Sequence, residues 1–302
     1  MDRIQTMASL VAVVDEGGFA RAARRLKVSP PVITRAIADL EDRLGLPLLH
    51  RTTRVVRVTE AGARYAADCR RILADLDEAD EAAMGVHAAA RGPLTITAPV
   101  LFGNMFVTPI VTQYLRANAD TQVGCWFLDR VVNLVEEGLD VAIRIGELPD
   151  SSLQAVRVGE VRRIVCASPA YLKEHGIPRT PESLAKHTLV AASGVTPHSD
   201  WQFRISNAMR SIKLRPRMTT TTNDAARSAA LSGFGLTRLL SYQAAADIAA
   251  GHLRIVLKEF EPAPLPIHVV HREGRRASGK VRAFVDLAIA QLRDDPHLRP
   301  SV

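Results

Sequence analysis

The sequence predicts a multidomain chain in which a winged helical head is followed by one long helix and then by an α/β half. Three observations carry that reading. Gly18 to Glu41, GFARAARRLKVSPPVITRAIADLE, has the spacing of two short amphipathic helices around a tight turn. From Tyr65 onward, apolar residues recur alternately four and three apart. Beyond Arg91-Gly92-Pro93, strand-like and helix-like stretches alternate.

In the first helix of the pair, Phe19, Ala22, Ala23 and Leu26 fall at i, i+3, i+4 and i+7 and form one apolar stripe, with Arg21, Arg24 and Arg25 off it. Lys27 and Val28 make the turn. Ser29 is placed to cap the next helix, and Pro30 suits its first position, where a backbone N–H has no helical partner. Ile33, Ile37, Leu40 and Leu44 stripe the second helix and leave Thr34, Arg35 and Asp39 outward, as a helix lying in a DNA major groove requires. An ordinary packed helical hairpin has the same spacing. Ahead of the pair, Ile4, Met7, Val11 and Val14 supply a third helix to close a small core. After it, Leu48 to Thr59, LLHRTTRVVRVT, reads as a hairpin with short strands about Leu49 and Val56 to Val58 and a tip of Thr52, Thr53 and Arg54. Arg51, Arg54 and Arg57 on such a wing can hold phosphate, which fixes register without reading bases.

Taken in order, these residues resemble the LysR-type transcriptional regulators of bacteria. The resemblance is carried by Gly18-Phe19, Ala22-Ala23-Arg24-Arg25-Leu26, Val28-Ser29, Ile33-Thr34-Arg35-Ala36-Ile37, Leu40-Glu41, Leu44-Gly45, Arg51-Thr52-Thr53-Arg54 and Thr59-Glu60-Ala61-Gly62. It departs at Gly18, where a capping serine is usual, and at Pro31, where a small polar residue often faces DNA. The resemblance implies DNA contact through Pro30, Thr34 and Arg35, within a helix-turn-helix spanning Gly18 to Ala38, and through Arg51, Thr53 and Arg54 of the wing.

Thr59 reads as the N-cap of a helix reaching about Ala88. Tyr65, Cys69, Ile72, Leu76, Ala79, Ala83 and Val86 form a heptad seam along it. At about 1.5 Å per residue the helix spans roughly 40 Å, more than a small head covers. The seam meets a second copy of itself or lies on the chain's own α/β half; the resemblance implies the first, a dimerising linker. Asp75, Asp77, Glu78, Asp80 and Glu81 read as a solvated face.

In the α/β half, Leu94 to Ala98, Val123 to Leu128 and Val141 to Ile145 read as strands and Phe106 to Leu115 and Val131 to Glu137 as the helices between them, a βαβαβ run with parallel pairing. Val161 to Ala167 and Ile267 to Val270 are further strands, and Asn223 to Ser232 is a helix ended by Gly233-Phe234-Gly235. Val281, Phe284, Val285, Ala288 and Leu292 stripe a last helix. Asp140-Val141-Ala142-Ile143-Arg144-Ile145-Gly146, Asp150-Ser151-Ser152-Leu153 and Leu231-Ser232-Gly233-Phe234-Gly235-Leu236 extend the resemblance to the family's effector domain. That domain is similar to type 2 periplasmic binding proteins, with two α/β subdomains, two chain crossings and a cleft at the crossings. The implied organisation is a DNA-binding domain over residues 1–58, a linker helix over 59–90 and an effector domain over 93–302. Within the last, subdomain I takes residues 93–163 and 267–302, and subdomain II residues 164–266.

Open α/β sheets bind ligands beyond the C-terminal ends of their strands. That rule points to Pro99, Val100, Leu101 and Phe102, to Leu128 and Asp129, to Arg144 and Gly146, and across the cleft to Thr196, Asn223 and Phe234. Hinges are expected near Gly146 and near Pro264 and Pro266. The resemblance implies a carboxylate or aromatic acid as effector, held by Arg144 or by the N-terminus of a helix at Asn104.

A composition of 47% hydrophobic and 24% charged residues over 302 positions is that of a folded chain with room for two or three cores, and argues against disorder. The net charge of +7 suits a polyanionic partner, but basic residues also crowd Arg210 to Arg217 and Arg272 to Arg282, so charge alone does not locate that partner. Cys69, Cys125 and Cys166 are odd in number and lack CxxC spacing, so they read as reduced thiols rather than a zinc site or a disulfide framework, and the apolar strand contexts of Cys125 and Cys166 make those two read as buried and inert. His268 and His271 stand three apart on a strand and point to opposite faces, so no metal is expected, and nothing calls for a cofactor. GxSxG, HExxH, P-loop and dinucleotide motifs are absent, and Ser193-Gly194 lacks the setting of a nucleophile elbow; the chain reads as a non-enzyme. Without a membrane-length apolar run or a leader-like start, the expected location is the bacterial cytoplasm, on the nucleoid. The expected partners are a double-stranded DNA operator, a small-molecule effector, further copies of the chain as homodimer or homotetramer, and RNA polymerase, with no membrane. The alternative keeps DNA binding but makes the chain an architectural protein or a thiol-redox regulator without an effector.

Overall fold

A computed structural model of the chain describes residues 2–51, 56–84, 90–149, 153–192, 200–272 and 277–299. Thr53 and Arg54 of the wing tip, Val86 of the seam, Asp150-Ser151-Ser152, Ser193-Gly194 and Thr196 lie outside the described residues, and Arg51, Ala79 and Ala83 are described by their backbone alone. The chain divides into two compact units, Met1–Ala88 and Ala89–Val302.

In the first unit, α1 (Arg3–Glu16), α2 (Phe19–Arg25) and α3 (Pro30–Leu44) enclose Leu10, Val13, Ala22, Ala23, Ile33, Ile37 and Leu40. The inner face of α1 is rotated from the expected one: Met7, Leu10 and Val13 are buried, Val11 and Val14 are half-buried and Ile4 is exposed. Thr6 and Ser9 share that inner face because their hydroxyls donate to the carbonyls of Arg3 and Gln5 at 2.8 Å, so a stripe of apolar letters alone misplaces it. Ser29 holds the N-cap position of α3 with Pro30 behind it, but its side chain makes no cap bond. β1 (Leu49–Arg51) pairs antiparallel with β2 (Val56–Val58) as the stem of the wing.

The start of α4 (Glu60–Met84) is fixed by polar contacts to the end of α3 and the wing. Thr59 Oγ1 accepts from the Gly62 N–H at 2.9 Å and donates to the Leu48 carbonyl at 3.0 Å. One oxygen of Glu41 accepts from the N–H groups of Leu48 and Leu49 at 2.7 and 3.0 Å. Gly62 allows the close approach, since a Cβ there would stand 2.0 Å from the Leu48 carbonyl oxygen. The seam divides along α4: Cys69 is buried in the head's own core with Tyr65 and Leu73 packed against it, whereas Ile72 and Leu76 remain 44% and 38% exposed. Among the described seam residues, Ile72 and Leu76 are therefore the ones the head leaves uncovered.

The second unit begins with β3 (Gly92–Ala98), α5 (Val100–Phe102), a π-helical turn (Gly103–Val107), α6 (Thr108–Ala117), β4 (Thr121–Phe127), β5 (Val141–Ile145) and β6 (Gln154–Val161). It continues with β7 (Arg163–Ala167), α7 (Pro169–His175), β8 (Leu189–Ala192), the hairpin β9 (Asp200–Ile205) and β10 (Ala208–Lys213), β11 (Met218–Thr220) and α8 (Asn223–Leu231). Then come β12 (Leu236–Leu240), α9 (Ser241–Ala249), β13 (Arg254–Val256), β14 (Leu265–His271) and α10 (Gly279–Asp294). Sheet I has the order β4-β3-β5-β14-β6, and sheet II the order β11-β8-β12-β7-β13. β3 is parallel to both β4 and β5, and β14 runs antiparallel to β5 and β6. Phe102, Val107 and Tyr114 from the β3–β4 connection and Phe284 from α10 pack on the Ile96, Ile143 and Val269 face of sheet I.

The stretch from Val131 to Glu137 is a single turn, not the expected helix. The Asn133 carboxamide oxygen accepts from the Val135 N–H at 3.0 Å, and Gly138 ends the turn with φ at 64°. The expected strand Val161 to Ala167 is cut at Arg162, where the chain passes from sheet I to sheet II; it returns through residues 257–264. The first crossing is therefore at Arg162 rather than near Gly146, whose N–H donates to the Pro266 carbonyl at 2.8 Å within the sheet I side. Asp140 ties β3 to β5, its carboxylate accepting from the Thr95 N–H at 2.7 Å and the Thr95 hydroxyl at 2.8 Å.

Candidate DNA interface and effector cavity

On α3, Pro30, Pro31, Thr34, Arg35 and Asp39 are exposed, opposite the buried Ile33, Ile37 and Leu40. Thr34 Oγ1 donates back to the Pro30 carbonyl at 3.1 Å, which satisfies the hydroxyl within the helix. The basic residues of this unit fall into two groups. Arg25 is held by Asp15 and Glu16 at 3.3 and 3.4 Å, Arg64 by Glu60 at 2.7 Å, and Arg70 by Asp15. Among the described residues Arg24, Arg35 and Arg57 are exposed and form no ion pair, so their charge is available to a polyanion. Arg51 ends β1 opposite Val56, at the mouth of the wing.

In the second unit a cavity of about 350 Å³ lies between sheets I and II. Of the residues expected there, Pro99, Leu128, Asp129, Arg144 and Asn223 line it. Val100 stands behind the wall, its N–H donating to Asp129 at 3.0 Å. The chain enters its helix at Val100, so the next side chains turn into the core instead of the cleft. Leu101 packs half-buried there, and Phe102 is fully buried, its ring 4.7 Å from Phe106 and 5.4 Å from Tyr242. Gly146 does not line the cavity, and Phe234 stands apart from it under the Arg217 guanidinium at 5.7 Å. Asn104 lies inside the π-helical turn, not at a helix N-terminus, and the true N-terminus at Val100 already holds the Asp129 carboxylate. Arg144 is half-buried and donates to the Val132 carbonyl at 2.9 Å, and burial pushes its pKa down against the attraction of Glu137.

The other cavity side chains were not singled out from the sequence. Arg163, Arg238 and Trp201 line it, with the Arg238 guanidinium 5.3 Å from the Trp201 ring. Burial pushes the Arg238 pKa down to about 10, and the like charge of Arg163 acts in the same direction. A signal for both was present: each arginine belongs to an otherwise mostly apolar strand, RIVCA and LTRLL, where a charge is costly unless it has a task.

The cysteines differ from one another. Cys69 and Cys166 are buried, and burial pushes Cys166 up to about 12, but Cys125 on edge strand β4 is exposed, contrary to the expectation of a buried thiol. Among the described residues no group of three or more His, Cys, Asp or Glu is placed to hold a metal ion, and no helix is long and apolar enough to cross a membrane.

Residues 4–63 match the family described as bacterial regulatory helix-turn-helix protein, lysR family, and residues 87–293 the LysR substrate binding domain. The chain belongs to the LysR-type transcriptional regulators. This LysR-type regulator is 33% identical over 289 residues to an HTH-type transcriptional regulator of Xanthomonas campestris pv. campestris, covering 94% of this chain and 84% of that one. Its fold is similar to that of CrgA, a LysR-type transcriptional regulator from Neisseria meningitidis, with 30% identity, a TM-score of 0.61 and coverage of 95% and 98% of the two chains. The full-length Vibrio cholerae virulence activator AphB is similar too, at 28% identity and a TM-score of 0.61, with 96% and 99% covered. As a LysR-type regulator the chain is a DNA-binding transcriptional regulator with an effector-binding domain.

Proposed function

We propose that this regulator binds a double-stranded operator in the bacterial cytoplasm, on the nucleoid, and that a small acidic molecule in the cavity between sheets I and II switches its action there. Pro30, Thr34 and Arg35 enter the major groove, and Arg51, Thr53 and Arg54 of the wing hold the flanking phosphates. The working parts are a DNA-binding domain over residues 1–58, a linker helix over 59–90 that pairs copies into a homodimer or homotetramer, and an effector domain over 93–302. The expected subdomain bounds, residues 93–163 and 267–302 against 164–266, shift at both crossings, because Arg163 already belongs to sheet II and Leu265 and Pro266 already belong to sheet I. Effector binding alters closure of these two subdomains on each other, and with it the spacing of the heads and their approach to RNA polymerase. A ligand shifts such an equilibrium only by its difference in affinity for the two states.

The observation that carries this reading is the cavity itself, walled by residues of both sheets, which are joined by two chain crossings. The test is operator footprinting of the full chain with and without small molecules that raise its melting temperature. The expected result is a changed pattern of protected phosphates; an identical footprint with every stabilising molecule would leave an architectural DNA binder.

A further inference from the structure

Arg163 and Arg238 come from strands far apart in the sequence. β12 runs antiparallel to β7 with Leu240 opposite Arg163 and Arg238 opposite Val165. Side chains alternate faces along a strand, so Arg238, Leu240, Arg163 and Val165 share one face and the two arginines are diagonal neighbours on it. That face meets the cavity, and Arg163 and Arg238 both line it. Among the described residues neither forms an ion pair, and the Arg238 guanidinium is stacked on Trp201 instead of a carboxylate.

Two like charges placed side by side and shielded from water are unfavourable in the empty protein and become favourable once an anion lies between them. The charges around the cavity set how much anion is wanted. Four arginines line it, Arg130, Arg144, Arg163 and Arg238. Arg130 is neutralised by Glu137, its two nitrogens 2.7 and 2.6 Å from the carboxylate oxygens, and Asp129 supplies one negative charge of its own. An excess of two positive charges is left. The rest of the wall includes Leu128, Leu240, Leu265 and Trp201, a surface for a short apolar frame.

We infer that the cavity is built for a small dicarboxylate, its two acidic groups held by Arg163 and Arg238 with Arg144 beside them, and its frame against Trp201. A pocket of about 350 Å³ is at the small end of ligand sites, which suits a compact diacid. The inference rests on the effector reading proposed above and narrows it to one chemical class.

The experiment is calorimetric titration and thermal melting of the full chain with succinate, glutarate and phthalate, each against a matched monoacid (butyrate, valerate and benzoate), and with inorganic phosphate. At least one diacid should bind roughly tenfold or more tighter than its monoacid, because the second charge-assisted contact is lost in the latter. Arg238→Met and Arg163→Met should each abolish that preference, and without ligand each should melt above wild type, because a buried unpaired charge has been removed. A structural role for the arginines would lower the melting temperature instead. Equal binding of diacids and monoacids, preference for phosphate over every diacid, or a lower melting temperature in both variants would overturn the assignment. Diacid binding that leaves the operator footprint unchanged would support the site and sink the switch. A footprint moved only by monoacids or uncharged molecules would do the reverse.

Discussion

The guanidinium of Arg162 donates to Glu261 at 2.9 Å, and the two residues stand on the two different segments by which the chain passes between sheets I and II. Arg162 is locked further through its backbone: its N–H donates to the Ser241 hydroxyl at 3.1 Å and its carbonyl accepts from the Ser241 N–H at 2.8 Å. One ion pair therefore ties together the only two crossings seen among the described residues of the effector domain.

Burial raises the Glu261 carboxyl above its ordinary 4.5, and the attraction of Arg162 offsets only part of this. A group whose folded-state pKa is raised contributes stability that is fully present below its unfolded pKa and is lost as pH rises through the folded one. Relative to Glu261→Gln, the wild type should therefore lose stability as pH climbs from about 4 through the weakly acidic range. Urea unfolding of the two proteins at successive pH values reads this directly; curves that stay parallel would remove Glu261 as a titrating element of the crossing.

Arg35 projects from the outer face of α3 and forms no ion pair among the described residues, so its loss should be felt in base discrimination. Arg35→Ala should cost about 1–3 kcal/mol on a cognate operator and much less on random DNA. Arg54→Ala should weaken all sequences alike and reduce the salt slope of binding by about one unit, as loss of a phosphate contact does. Salt titrations on cognate and random duplexes measure both, and an unchanged slope for Arg54→Ala would remove the wing from the interface.

Ile72 and Leu76 stand one helical turn apart on α4 and are the exposed apolar residues of the seam among those described. Leu76→Asp should place a charge in a helix-to-helix contact, release single chains, and weaken binding to an operator with two half-sites far more than to one half-site. Sedimentation that still finds the variant assembled at micromolar concentration would place the self-contact elsewhere.

Glu41 joins α3 to the wing through one oxygen that serves two backbone N–H groups. Glu41→Ala leaves both donors without that acceptor and should destabilise the head by about 2–3 kcal/mol, whereas Glu41→Gln, which keeps an acceptor oxygen, should lose less than half as much. Amide exchange at Leu48 and Leu49 reports the loss locally. Equal losses in the two variants would show that the negative charge, not the acceptor, holds the corner.

The head was legible because its information is local. Spacing of three and four residues, a proline at a helix start and a glycine after a helix end are properties of neighbouring residues, and Pro30, Ile33, Ile37, Leu40 and Gly45 occupy the places such rules assign. The inner face of α1 was not, because Thr6 and Ser9 are buried by satisfying their hydroxyls within the helix. In the α/β half the alternation of elements gave β3, β4 and β5, but not which strand ends face each other. Arg163 and Arg238 meet only because β7 and β12 pair, a register that no stretch of either strand encodes alone. Phe102 was expected at the cavity because it follows the C-terminal end of the first α/β strand, and one turn of helix carries it into the core instead.

The order of strands in sheet I has a consequence for biosynthesis. β5 lies between β3 and β14, and β6 is bonded only to β14, yet β14 leaves the ribosome about 120 residues after β5. Throughout that interval the head can already be closed and sheet II can assemble through β13, while β5 and β6 each wait with a row of unpaired peptide groups. An open strand edge of that kind is a template for joining other chains. A nascent regulator interrupted before Leu265 would therefore have its DNA-reading end complete while the sheet that must close the effector chamber still lacks the strand that joins β5 to β6.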